Sequence, residues 1–195
     1  GAIRKPSSIR DIRPDLKALT LLASMRHDTH DDRVLRAFAR TLEDEGILIR
    51  PSTFLIPEFL AVEGCWTRRK PGREEQADME LGWQMAKEIG RLDIGQCVVV
   101  SNGTVMAVEA IDGTDSTIRR GGKLSRGHAV VVKVCKPTQD FRFDVPAVGA
   151  QTIKTMKEAG ATLLAVEAGK SLVYDREEMI RLADMWGISI VALKK

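Results

Sequence analysis

The sequence comprises 195 residues, with 44% hydrophobic residues, 29% charged residues and a formal net charge of +3. This balance excludes a disordered chain, which would be poorer in apolar residues and more highly charged. The small net charge gives no reason to expect a nucleic-acid partner. No apolar run approaches the roughly 20 residues of a membrane-spanning helix, and Gly1–Arg10 lacks the apolar segment of a signal peptide.

The first predicted elements are two helices separated by a basic, proline-containing stretch. Apolar residues at helical spacing predict a helix that is capped by Asp31 or Asp32 and closed by Gly46. A short strand is predicted at Ile47–Ile49, because a strand that follows a helix and a glycine is typical of α/β proteins. A second helix is predicted over Glu74–Ile89.

The second half of the sequence alternates strands and helices more regularly. Two β-rich runs joined by Ser101-Asn102-Gly103 predict a β-hairpin, because Asn-Gly between apolar runs is the strongest short-range hairpin signal. The elements predicted after the hairpin are a helix near Ser116–Arg120, a strand at Ala129–Val134, a helix at Ala150–Ala159, a strand at Thr162–Val166, a helix at Arg176–Trp186 and a strand at Ile188–Leu193.

These elements predict an α/β fold in which a truncated N-terminal α/β region precedes a C-terminal α/β domain with a mixed sheet. The boundary is predicted near Arg91–Gly95, so residues 1–92 form the partial N-terminal domain and linker, and residues 93–195 form the C-terminal domain. The three cysteines form no Cys-x-x-Cys pair and are predicted to be reduced thiols of a cytoplasmic protein.

Glu109–Asp115 is the first segment that can carry chemistry. Its three carboxylates follow an apolar run and surround Gly113, which allows a sharp turn, so they suit a hard divalent cation such as Mg²⁺. The alternative, which the pattern alone favours, is an acidic turn in which Thr114 or Asp115 caps the next helix.

Basic residues follow in two segments. Arg119–His128 is rich in glycine and arginine, which predicts either a phosphate-binding loop or a solvated basic loop. From Arg119 to Arg142 seven basic residues stand against one acidic residue. This balance suits phosphoryl chemistry, and structural salt bridges would explain it equally well.

Glu167–Ser171 superficially matches the end of a phosphate-binding P-loop. Leu164 stands where that motif requires a glycine, and the residues after Ser171 indicate extended chain where the motif needs a helix. The segment is therefore predicted to be a loop at a strand end, in which Glu167 and Lys170 either face the site or form an internal ion pair.

Five stretches of the sequence together resemble one protein family: Asp93–Gln96, Ala107–Asp115, Lys136–Asp140, Arg142–Pro146 and Val166–Lys170. The family is the UDP-2,3-diacylglucosamine pyrophosphatases of lipid A biosynthesis, found in bacteria that lack the metallophosphoesterase for the same step. A weaker resemblance continues upstream through Arg13–Lys17, Asp31-Asp32 and Thr67–Arg69. Members usually begin with a glycine-rich strand-turn segment, so we expect this chain to be shortened at its N terminus.

The resemblance implies Mg²⁺-dependent hydrolysis in which water attacks the α-phosphorus of UDP-2,3-diacylglucosamine, giving UMP and 2,3-diacylglucosamine 1-phosphate. It implies that Asp144 is the essential catalytic carboxylate, as a metal ligand or as the activator of water. The metal ligands that it implies are Glu109, Asp115 and Asp140. The residues implied to bind the substrate or its phosphates are Thr114, Arg119, Lys133, Lys136, Gln139, Arg142 and Lys170. Asp112 stands where members often carry glutamate.

The implied partner is a lipid-linked UDP-sugar at a membrane surface, which predicts a cytoplasmic protein that is peripheral at the inner membrane. A homo-oligomer is compatible with the resemblance. The competing function is a non-catalytic module that binds a nucleotide or a phospholipid. A third interpretation is a structural domain that acts through protein contacts.

Overall fold

The computed structural model describes residues 31–195, with side chains from residue 35 onward. This part of the chain belongs to two compact units. One contains the residues up to Leu55 together with Asp140–Asp144, and the other contains Ile56–Gln139 and Val145–Lys195. The resemblance noted at Arg13–Lys17 lies outside the described residues. No helix in the described part is long and apolar enough to cross a bilayer.

The first unit contains helix α1 (Asp31–Asp44) and a short 3₁₀ turn, Ser52–Phe54. The predicted first helix is confirmed, and the chain leaves it at Gly46 with φ of +82°, a conformation that glycine adopts without steric cost. The strand predicted at Ile47–Ile49 is wrong, since no strand forms there and Ile47 is exposed. A run of β-favouring residues becomes a strand only when a neighbouring strand accepts its hydrogen bonds.

The second unit is built on a mixed sheet. Its strands are β1 (Gly64–Cys65), β2 (Cys97–Ser101), β3 (Thr104–Val108), β4 (Ala129–Lys133), β5 (Ala147–Val148), β6 (Ala161–Glu167), β7 (Leu172–Val173) and β8 (Ser189–Leu193). Six of them lie in the order β1-β8-β6-β4-β2-β3, whereas β5 and β7 form a separate parallel pair. Strands β4, β6 and β8 are parallel, and β1, β2 and β3 pair antiparallel to their neighbours. The predicted α/β class with a mixed sheet is confirmed.

Four helices cover the two faces of this sheet: α2 (Arg73–Arg91), α3 (Gly113–Ser125), α4 (Ala150–Ala159) and α5 (Arg176–Trp186). Side chains alternate along a strand, so Val98 and Val100 pack with Trp83 of α2 on one face. Val99 faces the other side and packs with apolar residues of α3, α4 and α5, among them Ile118. Burying each such side chain contributes roughly 1.5–3 kcal/mol.

The predicted hairpin is confirmed as β2 and β3. Asn102 and Gly103 at its tip both have positive φ, 51° and 71°, as a tight two-residue turn with the twist of the strands requires. The carboxylate of Asp78 on α2 accepts hydrogen bonds from the N–H groups of Asn102 and Gly103, at 2.8 and 2.6 Å. The hairpin is therefore joined to the helix behind it.

The glycine-rich basic segment differs from both of its predicted forms, because most of it lies inside α3. A Cβ on Gly121 would lie 2.5 Å from Cβ of Val99, and a Cβ on Gly122 would lie 2.1 Å from the carbonyl oxygen of Ala159. The two glycines therefore let α3 approach the sheet and α4 closely, and their backbone N–H groups belong to the helix.

The domain boundary predicted near Arg91–Gly95 differs from the division between the two compact units. The second unit begins at Ile56. Helix α2 lies in this unit because Trp83 and Ala86 pack against the sheet, so the helix belongs with the strands that follow it.

Candidate functional site

Polar side chains collect at one edge of the sheet, where the parallel strands β4 and β6 end. Cys97 at the start of β2 pairs with Lys133 at the end of β4, so the antiparallel hairpin brings Glu109, directly after β3, to the same edge. Glu167 ends β6 there. Ligands of open α/β sheets bind outside the carboxyl ends of parallel strands, which makes this edge the candidate site.

Glu109 is nearly buried, with 7% of its surface exposed. Its Oε1 accepts a hydrogen bond of 2.6 Å from the hydroxyl of Thr114, and its Oε2 accepts one of 3.0 Å from the N–H of Gln96. Gly95 permits this close packing, since a Cβ there would lie 2.2 Å from the Glu109 carbonyl oxygen. Each carboxylate oxygen has a second lone pair, so each oxygen of Glu109 can accept one more ligand.

The turn after Glu109 does not have the capping geometry of the alternative prediction. Asp112 is the residue before α3 and makes no side-chain cap. Its carboxylate instead accepts hydrogen bonds from the N–H of Ala110 and from the guanidinium of Arg120, both at 3.2 Å. The bond from Arg120 is the main reason why the pKa of Asp112 is lowered. The hydroxyl of Thr114 therefore bonds to Glu109 and does not cap the helix.

Lys133 and Asp115 complete the group around Glu109. Lys133 is buried, and its ammonium donates a hydrogen bond of 2.9 Å to the carbonyl oxygen of Ala147. The thiol of Cys97 has its pKa raised first by burial and next by the negative charge of Glu109; Lys133 opposes this effect and Asp115 adds to it. Cys97 pairs with Lys133, and its carbonyl oxygen accepts the N–H of Glu109 at 2.8 Å. The structure therefore brings Glu109, Lys133 and Thr114 together beside this thiol, and Asp115 follows Thr114 on the first turn of α3.

A second polar group lies at the same edge, on the opposite face of the sheet. The side chain of Glu167 is 1% exposed, and its Oε2 accepts hydrogen bonds from Lys87 at 2.6 Å and from the N–H of Cys135 at 3.0 Å. Its Oε1 accepts one of 2.7 Å from Lys170. The internal ion pair that was one of the two predictions for Glu167 and Lys170 is therefore present.

The protonation of this group follows from its contacts. Burial by itself raises the pKa of Glu167, but the hydrogen bonds from Lys170, Lys87 and Cys135 outweigh burial and leave the pKa below its ordinary value. The hydrogen bond to Glu167 is the main reason why the pKa of Lys170 is raised. Both shifts favour the charged forms of Glu167 and Lys170.

Lys136 and Gln139 lie in the loop that leaves β4. The ammonium of Lys136 contacts the carboxylate of Asp93 at 2.7 Å. The side-chain oxygen of Gln139 accepts a hydrogen bond of 3.2 Å from the N–H of Lys136, and the N–H of Gln139 donates one of 3.0 Å to the Lys136 carbonyl. Gln139 therefore folds the loop into a turn around Lys136.

Asp140, Arg142 and Asp144 belong to the first compact unit. The guanidinium of Arg142 donates to both oxygens of Asp140, at 2.9 and 2.8 Å, and to the carboxylate of Glu43 on α1 at 2.7 Å. Arg142 is the main reason why the pKa of Asp140 is lowered, and Asp140 raises the pKa of Arg142. The N–H of Asp144 closes the same turn through a bond of 3.1 Å to the Asp140 carbonyl.

Arg119 forms an ion pair with a residue of helix α4. It is exposed on α3, and its guanidinium lies 3.8 Å from the carboxylate of Glu158 on α4. Its assignment as a phosphate-binding residue stays a prediction.

The fit of Mg²⁺ depends on the oxygen atoms available at the edge. Among residues 35–195 no group of three or more His, Cys, Asp or Glu side chains is arranged to hold a metal. Glu109 and Asp115 are hard donors, and the side-chain oxygen of Gln96 is buried without a hydrogen-bond partner in this described part. Mg²⁺ is commonly held by one or two carboxylates and completed by substrate phosphates and water, so the types of donor present fit the ion.

Several residues of these groups were missed by the site predictions from sequence. They are Glu43, Lys87, Asp93, Gln96 and Cys97. Lys87 carries no local signal, because a lysine on an amphipathic helix is ordinarily solvated. Asp93 and Gln96 lie within a stretch that carries the family resemblance, and this was a signal that could have identified them.

The sequence is similar to two families of protein domains and to a curated protein. It matches the LpxI C-terminal domain family over residues 62–191 and the LpxI N-terminal domain family over residues 1–59. It is 36% identical over 203 residues to the UDP-2,3-diacylglucosamine pyrophosphatase LpxI of Caulobacter vibrioides, in an alignment that covers 99% of this chain and 72% of that protein.

Proposed function

We propose that this chain, which belongs to the LpxI family, hydrolyses the pyrophosphate bond of UDP-2,3-diacylglucosamine in lipid A synthesis. Its products would be UMP and 2,3-diacylglucosamine 1-phosphate. The observation that carries the proposal is the 36% identity along 99% of the chain to a protein of that name. The polar edge of the sheet supports it, because charged groups there suit a doubly charged pyrophosphate.

The lysines at this edge are proposed to bind the pyrophosphate. Lys133, Lys136 and Lys170 each have an ammonium that bonds a protein oxygen, at 2.9, 2.7 and 2.7 Å. An ammonium has three N–H donors, so Lys133 and Lys170 can each donate to phosphate oxygens as well. The remaining residues proposed to bind the substrate are Thr114, Arg119, Gln139 and Arg142.

Asp144 is proposed as the catalytic carboxylate that activates the attacking water. A carboxylate that accepts a proton from water in the transition state typically contributes about 10² to 10⁴ in rate. Arginine and lysine groups would stabilise the charge that develops on the phosphate oxygens as the bond to the leaving phosphate breaks.

We propose that Mg²⁺ assists the reaction and is held by Glu109 and Asp115 together with oxygens of the substrate. When bound, the ion would neutralise negative charge on the pyrophosphate. Asp140 is the third proposed ligand. Both of its oxygens already accept hydrogen bonds from Arg142, so a metal there would have to share them.

The test is the release of UMP from UDP-2,3-diacylglucosamine, measured with Mg²⁺ and with a chelator. We expect Asp144→Asn to lower kcat by about 10² to 10⁴, because the amide cannot take the proton. Asp44→Asn is the control, since Asp44 is an exposed aspartate of α1; it should leave the rate unchanged. Equal rates for the wild type and Asp144→Asn would contradict the assignment of Asp144.

The alternative function is a module that binds a nucleotide or a phospholipid without catalysis. It predicts that UDP-2,3-diacylglucosamine binds to the wild type and that no UMP appears under any metal condition. Substrate binding without turnover would therefore replace the enzymatic proposal.

We further propose that the protein works in the cytoplasm, peripheral at the inner membrane, because its proposed substrate is a lipid. Leu92, Ile94 and Ile111 are exposed apolar side chains on the segments that flank Glu109, and such residues can insert into a bilayer interface. Sedimentation with lipid vesicles checks this part of the proposal. A homo-oligomeric state stays a prediction.

A further inference from the structure

We infer that Lys87 and Glu167 form a positioning pair, which holds the two lysines proposed to bind pyrophosphate, Lys136 and Lys170, at the edge of the sheet. The inference rests on the proposed function of these lysines. Neither Lys87 nor Glu167 would touch the substrate.

The pair closes a ring around one residue of the loop after β4. Glu167 accepts the N–H of Cys135 at 3.0 Å, and Lys87 donates to the carbonyl oxygen of Cys135 at 2.9 Å. Lys87 and Glu167 are joined to each other at 2.6 Å. Both backbone polar groups of Cys135 are thus held by a bonded pair of side chains, and the next residue in the chain is Lys136.

The same carboxylate holds the second lysine through its other oxygen. Lys170 contacts Glu167 Oε1 at 2.7 Å while 47% of the Lys170 side chain stays exposed. The ammonium is therefore fixed at one N–H and has two others for an incoming anion. A single buried carboxylate sets the position of a loop on one side and of an ammonium on the other.

This arrangement indicates positioning rather than stability alone. A buried ion pair is often no more stabilising than apolar residues of similar volume, because removing both charges from water opposes their attraction. The pair also spans elements far apart in the sequence, α2 and the end of β6. Holding phosphate-binding groups in place before the substrate arrives lowers the entropic cost of binding.

The experiment compares Lys87→Met and Glu167→Gln with the wild type. The measured quantities are the Kd for UDP by calorimetry, KM and kcat for UMP release, and the unfolding temperature. We expect Kd and KM to rise about tenfold, equivalent to about 1.4 kcal/mol. We expect kcat to stay within about twofold, since loss of binding common to ground and transition states raises KM alone.

Two further variants separate positioning from general damage. Lys87→Arg keeps the charge and the donors and should bring Kd back to within about threefold of the wild type. Glu178→Gln breaks the exposed pair with Arg181 and should leave Kd unchanged. If Glu167→Gln does not fold, the Kd values of Lys87→Met and Lys87→Arg still test the inference.

A lower unfolding temperature with an unchanged Kd would overturn the inference and leave a structural ion pair. A wild type that binds no UDP would overturn it as well. A wild type that binds UDP but releases no UMP would contradict the proposed function. In that case the Kd values of the variants would still test whether Lys87 and Glu167 position the two lysines.

Discussion

Glu109 and Glu167 are both nearly buried, and they are satisfied by different partners. Glu109 accepts hydrogen bonds from the neutral donors Thr114 and Gln96, whereas Glu167 accepts from two ammonium groups and one N–H. A buried acceptor that loses its donor costs about 1–3 kcal/mol, because water cannot replace the donor. Removing one donor is therefore a sharp test of how tightly each carboxylate is held.

Thr114→Val removes the 2.6 Å hydrogen bond to Glu109 and keeps the shape of the side chain. We expect the free energy of unfolding in urea to fall by about 1–3 kcal/mol. Thr104→Val makes the same change at an exposed position of β3 and should stay within about 0.5 kcal/mol of the wild type. Equal losses in both variants would show that the hydrogen bond is not the cause.

Helix α3 carries Thr114 and Asp115 on its first turn, so its fit against the sheet and α4 sets their position. The fit depends on Gly121 and Gly122, whose missing side chains let Val99 and Ala159 come close. Alanine is a better helix former than glycine by up to about 1 kcal/mol. Close packing therefore favours glycine at these two positions, whereas helix propensity favours alanine.

Gly122→Ala tests which of the two effects is larger. Its Cβ would lie 2.1 Å from the Ala159 carbonyl oxygen, so we expect a net loss of about 1–3 kcal/mol in unfolding free energy, typical of overpacking. Ser116→Ala adds an alanine at an exposed position of the same helix and should not destabilise. A Gly122→Ala variant as stable as the wild type would show that α3 can move away from α4.

Acid stability is a property of the molecule as a whole, because carboxylates in several places are ionised more easily than usual. Burial raises the pKa of Glu75, but the bonds from Arg69, Thr162 and the N–H of Gly72 outweigh it. The pKa values of Asp140 and Glu167 are also lowered, through Arg142 and through Lys170 and Lys87 respectively. Their stabilising effect is complete above the ordinary pKa and is lost as the pH falls through the lowered one.

The expected result is an unfolding temperature that falls as the pH drops below about 4.5, the ordinary value for glutamate. Glu75→Gln has no carboxylate to protonate, so its unfolding temperature should depend less steeply on pH in this range. Glu63→Gln, an exposed position, should follow the wild type. Calorimetry from pH 7 to pH 3 measures all three proteins, and parallel curves would contradict the role of Glu75.

The family and most of the long helices and strands could be predicted from the sequence. Apolar spacing predicted helix α1, and Asn102-Gly103 predicted the hairpin. The helices predicted over the segments of α2, α4 and α5 are confirmed, and the helix predicted near Ser116–Arg120 lies within α3. These signals are local, because a periodicity or a turn reflects which residues face a core and which conformations a glycine or asparagine adopts. The family resemblance rested on short motifs that lie in one order along the chain.

Which of these residues contact one another could be seen only in the folded structure. Ile47–Ile49 is no strand, since strand formation needs a partner that local sequence does not specify. The glycines of α3 fit against Val99 and Ala159, and Lys87 reaches Glu167 from a helix that lies 80 positions earlier in the chain. Such contacts depend on how helices stack on a sheet: close packing requires glycine where two elements touch, and a buried carboxylate must find hydrogen-bond donors from whichever elements surround it.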